Sequence, residues 1–215
     1  MAKRMLTEDI HALFAALKAA NPEPRSELHY RTPFQLAVAV LLSAQSTDQG
    51  VNRVTPALFT VAPTPEALLA LGEDGIRERI RSLGLFNNKA RNLAALAEIL
   101  VRDHGGQLPR DREALQALPG IGRKSANVIL NVVYGEPTLA VDTHVFRVSN
   151  RTGLAAGKTP EAVEKGLLAV VPPAFLLHAH HWLILHGRHV CQAKSPRCGE
   201  CLIRSWCQWP EKRSA

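Results

Sequence analysis

A chain of 215 residues that is 46% hydrophobic can bury a sizeable core as one compact domain or two small ones, which excludes a disordered protein. Its 26 Lys and Arg against 19 Asp and Glu give a net charge of +7, favouring a polyanionic partner, nucleic acid before anionic membrane. The longest apolar run is Leu36 to Leu42, far short of the ~18 residues of a membrane span, and MAKRMLTEDIHALF has no signal-peptide stretch. The chain therefore reads as soluble and cytoplasmic.

Helix signals follow one another along the chain. Thr7 leads a segment with Ile10, Leu13, Phe14 and Leu17 at helical spacing, stopped by Asn21-Pro22. Thr32-Pro33-Phe34-Gln35 is a capping box with proline at the first helical position. The helix it opens, through about Ala44, is apolar nearly all round and belongs in the core. Ser46-Thr47-Asp48-Gln49 repeats the capping pattern, and Thr64-Pro65-Glu66 and Thr159-Pro160-Glu161 start two more helices. Asn87 to His104 is a long helix with Leu93, Leu96 and Leu100 on one face, ended by Gly105-Gly106. No period-2 run survives inspection, so the predicted fold class is all-α. After Gly135 the composition shifts towards His, Trp and finally Cys, which suggests two helical lobes with interwoven boundaries.

Three stretches carry chemistry. In LPGIGRKSANVIL, Glu113 to Leu118 predicts a short helix, Pro119 to Gly122 a tight hairpin, and Lys124 to Val133 a second helix. Gly120 and Gly122 are expected to turn with positive φ and to let N–H groups approach an anion, beside the donors of the helix N-terminus. Such a feature grips phosphate without reading bases. A P-loop would need Gly directly before Lys, where Arg123 stands, and a dinucleotide fingerprint would need a preceding strand. A plain interhelical turn with surface cations is the bland alternative.

Lys124 sits where a helix makes a cation least comfortable. An ordinary lysine is free amine about once in 2,500 molecules at neutral pH. A helix mouth, adjacent Arg123 and partial burial would each raise that fraction and make the amine a nucleophile.

In AVDTHVFRVSNR, Asp142 is an N-cap candidate whose carboxylate is held as the anion, a better electrostatic partner for a cation than a strong base. His144 follows in the helix's first turn, placed for a polar contact.

All four cysteines lie in Cys191-x6-Cys198-x2-Cys201-x5-Cys207. Four thiolates so close in a reducing compartment can surround one centre, and the spacing leaves a [4Fe–4S] cluster and zinc both open. Lys194, Arg197 and Arg204 between the ligands offer a second phosphate contact.

LPGIGRKSAN, VDTHVFRVSNR, HHWLILHGR and the four spaced cysteines, in that order, strongly resemble the endonuclease III family of helix-hairpin-helix DNA glycosylases, from about Asn21 to Cys207. The resemblance implies two helical lobes flanking a DNA-binding cleft. A six-helix barrel would run over residues 26–136. An iron–sulfur lobe would combine residues 1–25 with 137–215, and a [4Fe–4S] cluster would be held by the four cysteines. It implies that Lys124 attacks C1′ of a damaged nucleotide, that Asp142 assists, and that β-elimination then cuts the strand 3′ to the abasic sugar. Pro119, Gly120, Gly122, Arg123 and His144 would contact DNA. Gln45 in LLSAQSTD and Leu85 in SLGLFNNKA resemble residues that fill the duplex gap when a nucleotide flips out, a step that chemistry at a stacked base requires. Helix capping by Gln45 and a core position for Leu85 are the competing expectations.

The implied activity is a bifunctional glycosylase and abasic-site lyase for oxidised pyrimidines, a nucleoid-associated monomer acting on damaged duplex DNA. A pyrimidine-dimer glycosylase and a non-catalytic DNA-binding module are the alternatives, and Lys124 with Asp142 argues against the module. Pro56, in VNRVTPALF, departs from the family's helical pattern and is expected to shorten or kink its helix.

Overall fold

The computed structural model describes residues 5–212, which form ten α-helices and no strand. By internal packing the chain divides into two compact units, one of Ser26–Tyr134 and one joining Met1–Arg25 to Gly135–Ala215. No single helix among the described residues is long and apolar enough to cross a membrane.

The first unit contains six helices: α2 (Pro33–Leu42), α3 (Asp48–Val61), α4 (Pro65–Ile80), α5 (Phe86–His104), α6 (Arg112–Ala117) and α7 (Arg123–Tyr134). Local chemistry sets where several of them begin. Thr32, Thr47 and Thr64 each accept the N–H three residues on, at 3.2, 3.1 and 3.3 Å, stabilising each helix by about 1 kcal/mol. At α2 the capping box closes one residue early: Gln35 Oε1 accepts the Arg31 N–H at 2.9 Å rather than that of the cap residue.

α2 is buried from Phe34 to Leu42 and packs on α3, α5 and α7. Leu93, Leu96 and Leu100 of α5 are fully buried, and Gly105, at φ 55°, ends that helix. Gly72, at φ 70° and ψ 168°, kinks α4.

Pro56 does not break its helix. α3 runs unbroken for 14 residues, with Val51, Val54, Thr55 and Leu58 buried along one face. The packing of that face outweighs the hydrogen bond that proline cannot donate.

The second unit contains α1 (Thr7–Ala20), α8 (Thr143–Thr152), α9 (Pro160–Val170) and α10 (Pro173–His189). Thr159 caps α9 in the same way, accepting the Ala162 N–H at 3.2 Å. Phe14 of α1 stacks on Phe175 of α10 at 5.9 Å between ring centroids. Trp182 of α10 packs against both rings and donates its indole N–H to the Asn21 carbonyl at 2.8 Å. The end of α1 is thus tied to a helix 161 residues away.

His180, His181 and His186 of the HHWLILHGR stretch are buried in this unit. Burial, reinforced by His180 and His178, pulls His181 down to about 3, so it is neutral in the fold. Once unfolded it would bind a proton near its ordinary 6.5, so the unfolded chain takes up more protons below that pH. Stability should therefore decline as pH falls from about 6.5 towards 3, and His181→Leu should flatten that slope in melting curves. An unchanged slope in the variant would place the titration elsewhere.

Candidate active site

The hairpin is built from the inside out. Asp111 caps α6 through the Ala114 N–H at 2.8 Å, and that bond holds its carboxyl below the ordinary range. The Tyr134 hydroxyl, at the far end of α7, donates to the Leu108 carbonyl at 2.6 Å, closing the pair of helices. Between them Leu118-Pro119-Gly120-Ile121 turns with the Ile121 N–H on the Leu118 carbonyl at 3.1 Å. Pro119 in second place and Gly120 at φ 79° in third are what a type II turn requires. A Cβ at Gly120 would also come within 2.8 Å of Leu41 and 3.1 Å of Asn92.

Gly122 differs from the expectation: it is not among the residues with positive φ. Its Cβ position meets nothing within 4 Å, so what it supplies is open approach to the backbone. Its carbonyl accepts the Ala126 N–H at 2.9 Å, starting α7 beside Arg123 and Lys124. Gly120, Gly122, Arg123 and Lys124 are all exposed, with Pro119 half-buried. Partial burial of Lys124, expected from the sequence, is therefore absent.

Gln45 and Leu85 also lie in this unit, and both competing expectations for them fail. Gln45 caps no helix, since Thr47 caps α3, and Leu85 is 51% exposed rather than core. They share a rarer property. Among the described residues they are the two non-glycine residues with positive φ, 53° and 59°. A left-handed backbone costs a non-glycine residue about 1–3 kcal/mol and persists only where its surroundings enforce it.

In the other unit, Asp142 caps α8. Its Oδ1 accepts the N–H groups of His144 at 2.9 Å and Val145 at 2.8 Å, which fixes the carboxylate's orientation. The segment leading into this cap is held by His180, whose Nδ1 lies 3.1 Å from the Ala140 carbonyl. His144 is half-buried, with Nδ1 3.2 Å from Arg147 Nη2.

Sequence reasoning passed over Arg147 and Arg151, which lie four residues apart and so on one face of α8. Arg147 donates to the Cys191 and Gly187 carbonyls at 2.9 and 2.7 Å, and burial pulls its guanidinium below its ordinary value. Arg151 stacks 4.2 Å over the Trp209 ring and donates to the Gln192 and Ala193 carbonyls at 2.8 and 2.9 Å. Its Nη1 also approaches Cys191 Sγ at 3.6 Å. The i, i+4 spacing ahead of a cysteine loop was the available signal.

The four cysteines are unpaired. Cys191 follows α10, Cys198 opens a 3-10 turn (Cys198–Glu200), and Cys191 and Cys201 pack against the unit's core. Burial pushes the Cys201 thiol up to about 11 and raises Cys207 as well, each reinforced by the neighbouring sulfurs. Such thiols ionise readily only on a cationic centre. Four thiolates on one short loop are a donor set that either a [4Fe–4S] cluster or zinc accepts. Of the nearby cations, Lys194 is exposed, Arg204 half-buried, and Arg197 engaged by Glu200.

Comparison with known proteins finds matches over most of the chain. The family described as "HhH-GPD superfamily base excision DNA repair protein" matches residues 38–173, and "iron-sulfur binding domain of endonuclease III" matches residues 191–207. Endonuclease III of Haemophilus influenzae is 54% identical over 200 residues, covering 93% of this chain and 95% of that protein. Endonuclease III of Escherichia coli is 52% identical with the same coverage. Among solved structures, a trapped endonuclease III–DNA covalent intermediate matches with TM-score 0.88 at 40% identity, over 95% of this chain and 96% of that one. A non-covalent endonuclease III–DNA complex matches at 0.89, also at 40% identity and the same coverage. The cofactor of this chain is a [4Fe–4S] cluster in the cysteine loop. The chain belongs to the endonuclease III family of HhH-GPD base-excision DNA repair proteins.

Proposed function

We propose that this chain is a bifunctional DNA glycosylase and abasic-site lyase that removes oxidised pyrimidines from duplex DNA. The observation that carries the reading is an exposed lysine at the mouth of the hairpin's second helix, in a chain whose other unit presents a fixed carboxylate at Asp142. Phosphate binding alone calls for neither.

The hairpin of Pro119, Gly120, Gly122 and Arg123 holds the backbone through N–H groups and charge, with His144 as a further contact. Gln45 and Leu85 fill the space left by the extruded nucleotide. The Lys124 amine, as free base, attacks C1′ of the damaged nucleotide; the C1′–N bond breaks and its electron pair leaves with the base. The secondary amine left on C1′ loses a proton, the sugar ring opens, and a Schiff base forms. Loss of a C2′ proton then expels the 3′ phosphate. Asp142 stabilises the positive charge that develops at the sugar and helps take the lysine's proton. The chain works as a monomer, in the cytoplasm at the nucleoid. The test is a panel of single-lesion duplexes: base release and strand cutting should appear together on oxidised pyrimidines, and base release without cutting would refute the lyase half.

Cys191, Cys198, Cys201 and Cys207 are the cluster ligands in this reading. The cluster staples a 17-residue loop whose regular structure is one 3-10 turn. The purified protein should be yellow-brown with about four irons per chain. Stoichiometric zinc without visible absorption would overturn the assignment.

Undamaged duplex should bind weakly and without sequence preference. Net charge +7 and a hairpin addressed to phosphates make affinity fall steeply with salt, about tenfold or more between 50 and 200 mM. Affinity unchanged over that range would contradict the phosphate grip.

A further inference from the structure

The corners at Gln45 and Leu85 are 40 residues apart in sequence yet neighbours in space: a Cβ on Gly84 would lie 3.8 Å from the Gln45 carbonyl oxygen. Lys89 joins them. Its backbone N–H donates to the Leu85 carbonyl at 3.0 Å, in the first turn of α5. Its Nζ donates to Ser46 Oγ at 2.6 Å, across 43 residues of chain. Ser46 follows Gln45 and is anchored by its own N–H on the Ser43 carbonyl at 3.1 Å.

Lys89 is 4% exposed, a rare position for a lysine, which is almost never fully buried without a partner. Burial also pushes its amine below the ordinary lysine value. In NNKARN it has the look of a solvated helix charge. Instead it forms a short, charge-assisted bond beneath two backbones in strained conformations. Left-handed non-glycine residues relax unless something holds them, and Lys89 touches both segments at once.

We propose that Lys89 is a positioning residue whose amine, through Ser46, holds the Gln45 corner in register with the Leu85 corner, so that the two side chains enter the opened duplex together. This rests on the reading of Gln45 and Leu85 as gap-filling residues. A purely structural lysine behaves differently. Its replacement by an apolar chain of similar length would alter stability and touch both reactions alike, with no selective effect on one reaction step.

The test is single-turnover base excision from a duplex with one oxidised pyrimidine, beside strand cutting at a preformed abasic site, where no base has to be extruded. Lys89→Met and Ser46→Ala should each slow excision about tenfold, and the double variant no further, because both remove one bond. Cutting at the abasic site should change less than about threefold. Singles within about twofold of wild type in excision, equal losses on both substrates, or losses that multiply in the double variant would each overturn the inference. If Lys89→Met does not fold, Ser46→Ala alone decides, since it removes one hydroxyl from a half-buried position. Gln45→Ala and Leu85→Ala run in parallel. If they lose excision while Lys89→Met and Ser46→Ala keep it, positioning fails and the gap-filling reading stands; if they keep it, the gap-filling reading fails and the inference with it.

Discussion

Lys124→Ala is expected to abolish borohydride trapping on DNA containing an oxidised pyrimidine, together with base release and strand cutting. Trapping needs a Schiff base, and a Schiff base needs a primary amine that attacks as the free base. The residue stands exposed at the start of α7, beside Arg123. Binding should survive within a few-fold, because the turn at Gly120 and the open backbone at Gly122 supply the phosphate grip. Lys124→Arg should fail as completely as alanine, since a guanidinium stays protonated and cannot attack. That variant separates charge from nucleophilicity: a cation serving only to bind DNA would be rescued by arginine. A Lys124→Ala protein that still traps at saturating concentration would place the nucleophile elsewhere.

Most helix starts were legible because capping is local, although Thr47 rather than Ser46 caps α3 and no side chain caps α1. Thr32, Thr47, Thr64 and Thr159 each bind the N–H three residues on, and no distant contact enters that chemistry. Pro56 misled for the same reason. The local rule says stop, but the buried face of Val51, Val54 and Leu58 carries α3 through it. The left-handed corners could not be read from local rules at all. Glutamine and leucine are poor choices for positive φ, so nothing in AQSTD or GLFNN announces them; only the family resemblance singled these positions out. Their support comes from tertiary structure, from Lys89 and Ser46 meeting across 43 residues. Arg147 and Arg151 lay between extremes. Their i, i+4 spacing was visible, but their acceptors, at Gly187, Cys191, Gln192 and Ala193, exist only once α8 packs on α10.

Asp142→Asn should slow base excision by about 10²- to 10⁴-fold while leaving folding and DNA binding nearly intact. The two roles of Asp142 separate in this substitution. As an N-cap, its Oδ1 accepts from His144 and Val145, and an asparagine carbonyl oxygen can accept the same two bonds. Loss of the charge at the start of α8 removes about 0.3–1 kcal/mol of helix-dipole stabilisation, a shift of a few degrees in melting temperature at most. What asparagine cannot supply is a negative charge facing the cation that develops at the sugar, or an acceptor for the lysine's proton. Those interactions are strongest in the transition state, so the rate constant should fall with little change in affinity. Asp142→Ala is the poorer test, because losing the cap costs about 1 kcal/mol and would loosen the start of α8. A small effect of both substitutions on excision, with a loss of stability for alanine alone, would reduce Asp142 to a helix cap and leave the positive charge at the sugar without its partner.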